Sequence, residues 1–574
     1  MDPREPIVVL RASGSQCART ICIRVKRMKH SHCLQLLLVI LSLAVICAPG
    51  QGFSQAAATV PTLDTSGEDR IVATEHQIIL NGTPLRYTAR AGRLPIRDKG
   101  TGEVHGYMFF VAYTADRAFN QRARPLTFAW NGGPGANSTY VHLIGFGPRH
   151  IKGEDDPVHP PELDSEMEDN QATWLDQTDL VFVDPVGTGF SRATKPEYEA
   201  EFYNVRGDIE AMAEFIRVYR NRFEAWDAPL FLAGESYGSW RAAGTAEALE
   251  RNGIRVAGVV LISGGLPIGS VGSDEMKTAL YVPRFTAAAF FHKKLPPDLQ
   301  ASLHDALEKA EAWARNEYLA ALQNRDKLTW EQRQSIITQL GRFSGLDPAV
   351  IDREQYNLTI TSSQFCRELL RDENLTCTLL DDRVTNQKPA AGKQQLILRY
   401  FRSELQYKTD LSYEGAPTVE LGYTPSTSKA EEIGQRWIWN QEKSLLTNPA
   451  GHVIYNVTMV PDSARYKDAI VVGSGSGPPG AAEPWLRRAI GIDPALKVFV
   501  AMGLYDSLNS CAHTRYMIAN TDPGIGRDIT LACYESGHVI YETKPARFQL
   551  KGDVSAFLRE RLSALDLSKG ANGE

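Results

Sequence analysis

The stretch LFLAGESYGSWRAAG, residues 230–244, decides how the rest of the sequence is interpreted. Its first part is a short apolar run typical of a buried strand, and its last part has the composition of a helix. Between them lie Glu235, Ser236 and Tyr237, with a glycine on either side. Glycines at those positions allow a sharp strand-to-helix turn that exposes one side chain at the edge of a sheet. The pattern G-x-S-x-G also occurs in structural turns, so Ser236 is a candidate nucleophile only if the chain supplies partners for it.

Other apolar runs resemble the one before the turn, and helical patterns separate them. One such pattern covers residues 205–226, where apolar residues recur at helical spacing. Alternation of strands and helices predicts a mostly parallel central sheet with helices on both faces. Together with the turn at Ser236, this order predicts an α/β core in which a nucleophile elbow joins a strand to a helix. The predicted buried strands are residues 125–130, 179–184, 229–234, 258–263, 496–503 and 528–534.

The chain changes character after the fourth of these strands. From about residue 274 to 383 it is charged and helical, as in LQASLHDALEKAEAWARNEYLAALQ, residues 299–323, and no heptad repeat is sustained. We interpret this segment as a helical cap inserted into one α/β core. The predicted organisation is a leader over residues 1–50, a first part of the core over 58–270, a mainly helical cap over 271–430, and a second part of the core over 431–566.

The charge balance limits the classes of partner. The 574 residues carry 62 Lys and Arg against 68 Asp and Glu, a formal net charge of −6. The first 50 residues are basic, so the remainder is more acidic than the whole chain. An acidic body argues against nucleic acid or an anionic membrane as the main partner.

The N-terminal residues have the pattern of an export signal. Basic residues precede the apolar run CLQLLLVILSLAVICA, residues 33–48, and small residues follow it. Met28 is an alternative start, and we expect the mature chain to begin near residues 50–58. A permanent membrane anchor is the other interpretation, although a span usually needs about 18 or more apolar residues. We therefore predict a secreted or periplasmic protein with no stable membrane span in its mature form.

Two residues beyond Ser236 complete a candidate catalytic triad. A serine hydroxyl needs a base to remove its proton and an acid to orient that base. In this fold they follow in the order Ser, Asp or Glu, His, in loops at the carboxyl ends of strands. Asp506 follows the strand at 496–503, and His538 follows the strand at 528–534. Among other histidines, His452 would need an earlier acid such as Asp410 or Asp382, and His513 lies only seven residues after Asp506.

A glycine-rich loop supplies candidate donors for an oxyanion. FAWNGGPGANS, residues 128–138, follows the first predicted strand, where this fold takes one backbone amide, and the second comes from the residue after the nucleophile. We assign these amides to Gly133 and Tyr237. Taken alone, the loop is also consistent with a plain turn.

Four cysteines follow the leader. An even number in an exported chain indicates disulfides, with three pairings open. Pairing neighbours closes short loops, and a bond between Cys511 and Cys533 would connect the loops of the candidate acid and base. There is no C-x-x-C pair, which argues against a zinc ribbon, and we predict no metal site. The four residues are Cys366, Cys377, Cys511 and Cys533.

Several motifs together resemble the serine carboxypeptidase family over roughly residues 125–550. They are WNGGPG (130–135), DPVGTGFSRA (184–193), GESYG (234–238), the Asp506 loop and SGHVIY (536–541). The resemblance implies an α/β-hydrolase fold with a helical insertion and the release of single residues from peptide C-termini. The partners it implies are peptides with a free C-terminal carboxylate, and it implies neither a metal nor an organic cofactor.

The resemblance also implies a site for the substrate's terminal carboxylate. Asn131 and Glu235, helped by the amide of Gly132, would hold it, and one of the two carboxyl groups must then be protonated. This predicts stronger peptidase activity at acidic pH. The family commonly has a second glutamate where this chain has Gly145, which leaves the pH optimum open.

Two other functions stay open at this point. An esterase or acyltransferase would use the same triad on the same fold, and a non-catalytic binding protein would keep the fold alone. The sequence GSGPPG, residues 475–480, matches a phosphate-binding pattern, but its two prolines lack amide donors and no βαβ unit follows. We interpret it as a loop.

Overall fold

The computed structural model describes residues 70–116, 123–152, 166–353, 358–385, 396–415 and 484–571, together with four short strand segments outside these ranges. The chain divides into two compact units, Met1–Asp64 and Thr65–Glu574. In the first unit the described part is an antiparallel pair of strands, β1 (Ile7–Val9) and β2 (Cys22–Arg24).

The second unit contains the remaining strands. In chain order they are β3 (Val72–Leu80), β4 (Thr83–Arg97), β5 (Val104–Ala115), β6 (Leu126–Trp130), β7 (Arg149–Ile151), β8 (Met167–Asp169), β9 (Asp179–Val183), β10 (Arg192–Ala193), β11 (Leu230–Glu235), β12 (Gly258–Ile262), β13 (Ile454–Tyr455), β14 (Ile470–Val471), β15 (Lys497–Gly503) and β16 (Ile529–Tyr534). Ten of them form one sheet in the order β16-β15-β12-β11-β6-β9-β5-β4-β3, with β10 paired to β5. Each neighbouring pair from β16 to β9 in this order is parallel.

All six strands predicted from the sequence lie in this parallel part, which confirms the predicted fold class. In the parallel strands, successive residues contribute to two different buried clusters, because side chains alternate between the faces of a sheet. One cluster includes Leu232 and Leu261, and the other includes Phe231 and Ile262. Helices cover both faces, as burial of both clusters requires. This is the α/β-hydrolase fold.

The antiparallel edge of the sheet was not among the predictions. β3, β4 and β5 pair in sequence order, and β5 pairs antiparallel with β9. Asn81 and Gly82 connect β3 to β4 with φ of 49° and 78°. Asn-Gly favours the left-handed conformation that a two-residue hairpin turn needs. The Asn-Gly pair is the sequence signal that would have revealed this hairpin.

The helices follow the order that the sequence predicts. The predicted helix at 205–226 is Val205–Arg222, and the last helix is Lys544–Ala571. The other α-helices are Glu199–Phe202, Tyr237–Arg251, Asp274–Ala279, Val282–Phe291, Pro297–Gln300, Leu303–Trp313, Leu319–Gln323, Trp330–Ser344, Pro348–Arg353, Ser362–Leu369, Leu396–Arg399, Trp485–Ile492, Cys511–Ala519 and Pro523–Gly526; 3₁₀ segments are Pro196–Tyr198, Arg325–Lys327, Arg371–Glu373 and Ile540–Glu542, and π-helical segments are Tyr140–Phe146, Ala314–Tyr318 and Tyr400–Glu404.

The helices between residues 274 and 369 have a hydrophobic cluster of their own. Leu340, Phe365 and Trp313 belong to it, and it also contains both Cys366 and Cys377. The helical turns at Leu396–Glu404 differ, since Phe401 packs on Phe109 of the sheet with ring centroids 5.6 Å apart. The exact limits of the proposed cap stay a prediction.

Some predicted features lie outside the described residues. They are the apolar run of the leader, the loop GSGPPG and His452. Within the described parts of the chain, no helix is long and apolar enough to cross a membrane.

Candidate active site

Ser236 lies in a strained turn between β11 and the helix Tyr237–Arg251. Its φ of 58° and ψ of −130° are unusual for a residue with a side chain, and such strain is typical of a nucleophile elbow. A Cβ on Gly234 would collide with the carbonyl oxygen of Gly238, so the turn requires glycine there. Ser236 is partly exposed, whereas Glu235 and Tyr237 on either side are buried. The turn therefore presents the serine and hides its neighbours.

The structure brings Asp506 and His538 together at the carboxyl ends of β15 and β16. His538 Nδ1 donates to Asp506 Oδ2 over 2.9 Å, and both side chains are buried. The amide of Leu508 donates to Asp506 Oδ1 and Asn509 Nδ2 donates to Oδ2, each over 2.8 Å. Both oxygens of the Asp506 carboxylate thus accept hydrogen bonds. A second bond from Asn509 Nδ2 to the Ser263 carbonyl, also 2.8 Å, fixes this amide on the neighbouring strand end.

The other nitrogen of the imidazole faces the residue before the nucleophile. His538 Nε2 lies 3.5 Å from Glu235 Oε1. No direct hydrogen bond joins His538 to the Ser236 hydroxyl within the described residues. Burial alone lowers the pKa of His538, but the charge and hydrogen bond of Asp506, together with Glu235, raise it above its ordinary value.

Asn131 and Glu235 are in direct contact. Asn131 Nδ2 donates to Glu235 Oε2 over 2.7 Å, and Asn131 Oδ1 accepts from the amide of Val141 over 3.1 Å. Burial raises the pKa of Glu235, although His538 and the Asn131 hydrogen bond oppose this shift. The neutral form of Glu235 is therefore accessible at higher pH than for an exposed glutamate.

The glycine-rich loop packs directly on the elbow. A Cβ on Gly132 would lie 2.5 Å from the amide nitrogen of Tyr237 and 2.8 Å from the carbonyl oxygen of Glu235. Gly133 is exposed with a φ of 95°, a conformation that favours glycine. The amide of Tyr237 opens the first turn of its helix, where backbone N–H groups point away from the helix. Both predicted oxyanion donors thus belong to segments that meet at Ser236.

A segment that the sequence did not single out supports the base loop. The amide of His538 donates to the Leu380 carbonyl over 2.6 Å, and the amide of Asp382 donates to the Tyr505 carbonyl over 2.9 Å. Arg383 Nη1 donates to the Glu535 carbonyl over 3.2 Å. Residues 380–383, at the end of the helical insertion, thus contact both catalytic loops. Nothing in their composition marks this role.

The alternative acids and bases lie elsewhere. His513 is in the helix Cys511–Ala519, and burial lowers its pKa to about 4. Asp382 is buried beside Arg284 and accepts a hydrogen bond from Ser507, and Asp410 is exposed. The acid on His538 is Asp506.

The four predicted cysteines form two disulfides, and each joins cysteines that are neighbours in sequence. One is Cys366–Cys377, and the other is Cys511–Cys533. The second connects the helix that follows Asp506 to β16, which ends four residues before His538.

Two groups of described side chains lie close enough to share a cation. The first is Cys366, Cys377 and Asp382, but its two sulfurs are joined in the disulfide. The second is His304, Asp305 and Glu308, which are exposed at the start of one helix. Neither group contacts the triad.

Comparison with known proteins places the chain in a family. The sequence profile of the serine carboxypeptidase family matches residues 85–387, which is more than half of the chain. This chain belongs to the serine carboxypeptidase family. The human retinoid-inducible serine carboxypeptidase is 33% identical over 173 residues, covering 29% of this chain and 35% of the relative. The pheromone-processing carboxypeptidase KEX1 of Saccharomyces cerevisiae is 29% identical over 157 residues, covering 26% of this chain and 20% of the relative.

Two solved structures match most of the chain at low identity and low TM-score. A structure of the prohormone-processing carboxypeptidase KEX1 from Saccharomyces cerevisiae covers 83% of this chain and 92% of its own, at 15% identity and a TM-score of 0.43. A proline iminopeptidase from Mycobacterium smegmatis covers 83% of this chain and 99% of its own, at 13% identity and a TM-score of 0.30. The fold assignment here follows from the strand order.

The family match covers only part of the candidate site. The chain spans about a third or less of the length of these curated relatives. The family profile includes Ser236 but ends before Asp506 and His538. The roles of those two residues therefore depend on their positions after β15 and β16 and on the hydrogen bond between them.

Proposed function

We propose that this protein is an exported serine carboxypeptidase that removes single residues from the C-termini of peptides. The observation that carries the proposal is the arrangement around the elbow. Asp506 and His538 are hydrogen-bonded on one side of Glu235, and Asn131 binds the same carboxyl group on the other. A proton-transfer pair and a group able to hold a substrate carboxylate thus lie next to Ser236.

The reaction proceeds through an acyl-enzyme. Ser236 Oγ attacks the carbonyl carbon of the last peptide bond and passes its proton to His538 Nε2, which gives it to the leaving amine. Water then attacks the ester by the same proton path in reverse. Asp506 orients the imidazole and stabilises its cation, and the amides of Gly133 and Tyr237 donate to the oxyanion. The first step requires Nε2 to exchange its contact with Glu235 for one with the serine hydroxyl.

The terminal carboxylate selects the substrate. Asn131, the amide of Gly132 and protonated Glu235 hold it one residue beyond the bond that is cut. Since the site is buried, a second ionised carboxylate there would be strongly repelled, and binding requires that the pair share a proton. This requirement favours a free C-terminus over an amide.

The decisive experiment combines labelling with substrate choice. A fluorophosphonate probe should label the wild type and not Ser236→Ala, while Ser344→Ala, which removes a buried hydroxyl in a distant helix, should be labelled as the wild type is. A blocked dipeptide with a free carboxylate should be cut faster than its C-terminal amide. Preference for a simple ester without regard to the carboxylate would instead indicate the esterase or acyltransferase, and absence of labelling would indicate a binding protein.

Export is part of the same proposal. Two disulfides are stable in an oxidising compartment, either outside the cell or in a periplasm. Sequencing the N-terminus of protein from an exporting host should give a start near residues 50–58. A start at Met1 or Met28 in the exported protein would contradict cleavage of the leader.

A further inference from the structure

A buried phenol lies beside the proposed carboxylate site. Tyr541 is in the 3₁₀ turn Ile540–Glu542, three residues after His538, and is fully buried. Asn131 Nδ2 donates to its hydroxyl over 3.3 Å. The same nitrogen donates to Glu235 Oε2, so the phenol oxygen and the Glu235 carboxyl group are neighbours across one amide.

Two neighbouring residues, Gly145 and Phe146, determine the position of the Tyr541 ring. A Cβ on Gly145 would lie 3.4 Å from the ring, so the tyrosine occupies the space over that glycine. The ring of Phe146 packs against it edge-on with centroids 5.3 Å apart. A larger side chain at position 145 would compete with the tyrosine for this space. The hydroxyl therefore has a fixed position next to Asn131.

The Tyr541 hydroxyl accepts a hydrogen bond from Asn131 and keeps its own proton to donate. The Asn131 side chain has two N–H groups, and in the free enzyme they are directed to Glu235 and Tyr541. The Tyr541 oxygen accepts in that contact, so its own proton remains for another acceptor. Within the described residues this proton has no acceptor in hydrogen-bond distance. An arriving carboxylate would supply one.

We propose that Tyr541 is a substrate-binding residue that donates a hydrogen bond from its hydroxyl to the terminal carboxylate of the peptide. The inference rests on the proposed carboxypeptidase function and adds a donor to the same site. Asn131, Gly132 and Tyr541 then surround the carboxylate with donors, and Glu235 is the one group whose charge changes with pH. A phenol keeps its proton across the working pH range, so its contribution is the same at acidic and neutral pH.

The test is the variant Tyr541→Phe, which keeps the ring and removes the donor. We expect KM for a blocked dipeptide with a free carboxylate to rise about 10-fold, with kcat changed less than twofold, because a hydrogen bond to a charged group is lost. KM for a simple ester without a carboxylate should not change. Inhibition by a blocked amino acid with a free carboxylate should weaken about 10-fold, while inhibition by its amide stays as it was. The increase in KM should be equal at pH 5 and pH 7.

The matched control is Tyr318→Phe, another fully buried tyrosine, whose hydroxyl donates to the Leu358 carbonyl in the helical insertion. It should leave both substrates unaffected. Unchanged KM and inhibition for the free acid in Tyr541→Phe would overturn the inference, and so would an equal loss on acid and ester, which indicates a structural role. A wild type that does not prefer the free acid over the amide would instead contradict the proposed function itself.

Discussion

At the residue scale, two titratable groups of the proposed site lie close together, with His538 Nε2 3.5 Å from Glu235 Oε1. In the proposed mechanism, substrate binding requires protonated Glu235, and catalysis requires neutral His538. The form with one proton on the pair has the right number of protons for both tasks, because that proton can move from Nε2 to the carboxylate. We therefore expect the pair to titrate as a unit, with the singly protonated form active.

Protonation of this pair should determine the pH dependence of kcat/KM. For a peptide with a free carboxylate, kcat/KM should be bell-shaped, falling at low pH as the pair gains a second proton and at high pH as it loses the last one. Glu235→Gln cannot ionise, so its profile should rise with pH to a plateau with no fall on the alkaline side. The rise should begin at lower pH, because Glu235 no longer raises the pKa of His538. Identical profiles for wild type and variant would contradict the shared proton.

A second prediction concerns Asn509, which the sequence did not single out. Its amide donates to Asp506 Oδ2 and to the Ser263 carbonyl, so it fixes the acid against the end of β12. We expect Asn509→Ala to lower kcat by about 10- to 100-fold with little change in KM, because a hydrogen bond to a buried charge orients the base. Steady-state kinetics would measure the split.

The matched control for Asn509 is Asn520→Ala. Asn520 is an exposed residue whose amide donates to the Tyr516 carbonyl at the end of the helix Cys511–Ala519. It should leave kcat unchanged. A rise in KM without a fall in kcat in Asn509→Ala would mean that this amide does not act through Asp506.

The residues found from sequence share one property. Ser236, Asp506 and His538 each follow a strand of strongly apolar composition, so the strand pattern located them. Asn509 contacts Ser263 and Tyr541 contacts Asn131, and both of these partners lie far away in sequence. A single sequence does not contain that information, since any of several nearby polar residues has the same composition and spacing.

At the element scale, a buried ion pair connects the start of the helical insertion to its end, next to the loop of Asp506. Arg284, in the helix Val282–Phe291, lies 3.6 Å from Asp382, and both side chains are buried. Asp382 also accepts a hydrogen bond from Ser507, next to Asp506. This hydrogen bond connects the end of the insertion to the loop that holds Asp506.

Removing the positive partner should be costly. Arg284→Met leaves a buried carboxylate unpaired, and we expect the free energy of unfolding at pH 8 to fall by roughly 3–5 kcal/mol. Burial raises the pKa of Asp382 to about 7, although the charge of Arg284 opposes this shift. Below that pH the folded state binds a proton that the unfolded chain has lost, so the penalty should shrink towards pH 5. Urea unfolding at both pH values would measure it.

Two further variants test the assignment to this pair. Arg284→Met with Asp382→Asn should recover most of the loss at pH 8, because the amide has no charge and still accepts from Ser507. Arg342→Met removes a more exposed arginine that pairs with Asp298, and it should change stability by less than about 1 kcal/mol. A loss in Arg284→Met that does not depend on pH would point to lost packing instead.

The composition of the strands explains which of them the sequence predicts. The six parallel strands are apolar on both faces, and such runs stand out in sequence. In β3 and β4 one face is more exposed than the other, and arginine and threonine lie between the apolar residues. These strands therefore lack that signal. Their pairing depends on the turn at Asn81 and on neighbours far along the chain.

At the scale of the whole molecule, the described chain has three hydrophobic clusters. Two lie on the faces of the sheet and share its strands, which makes them mutually dependent. The third belongs to the helices between residues 274 and 369 together with Leu375 and Cys377. The buried side chains of this third cluster are different from those of the two clusters on the sheet. The helical insertion should therefore be able to open while the sheet stays folded.

Hydrogen exchange of paired variants tests this independence. Leu340 is fully buried in the third cluster, and Leu232 is fully buried in β11. Each change to alanine should remove about 2–5 kcal/mol of local stability. Leu340→Ala should speed amide exchange in residues 274–369 and leave the strands protected. Leu232→Ala should speed exchange in strands and insertion alike, because Ser362 and Tyr281 of the insertion donate hydrogen bonds to carbonyls of the loop after β15. Equal loss of protection throughout the chain in Leu340→Ala would mean that the insertion and the sheet unfold as one unit.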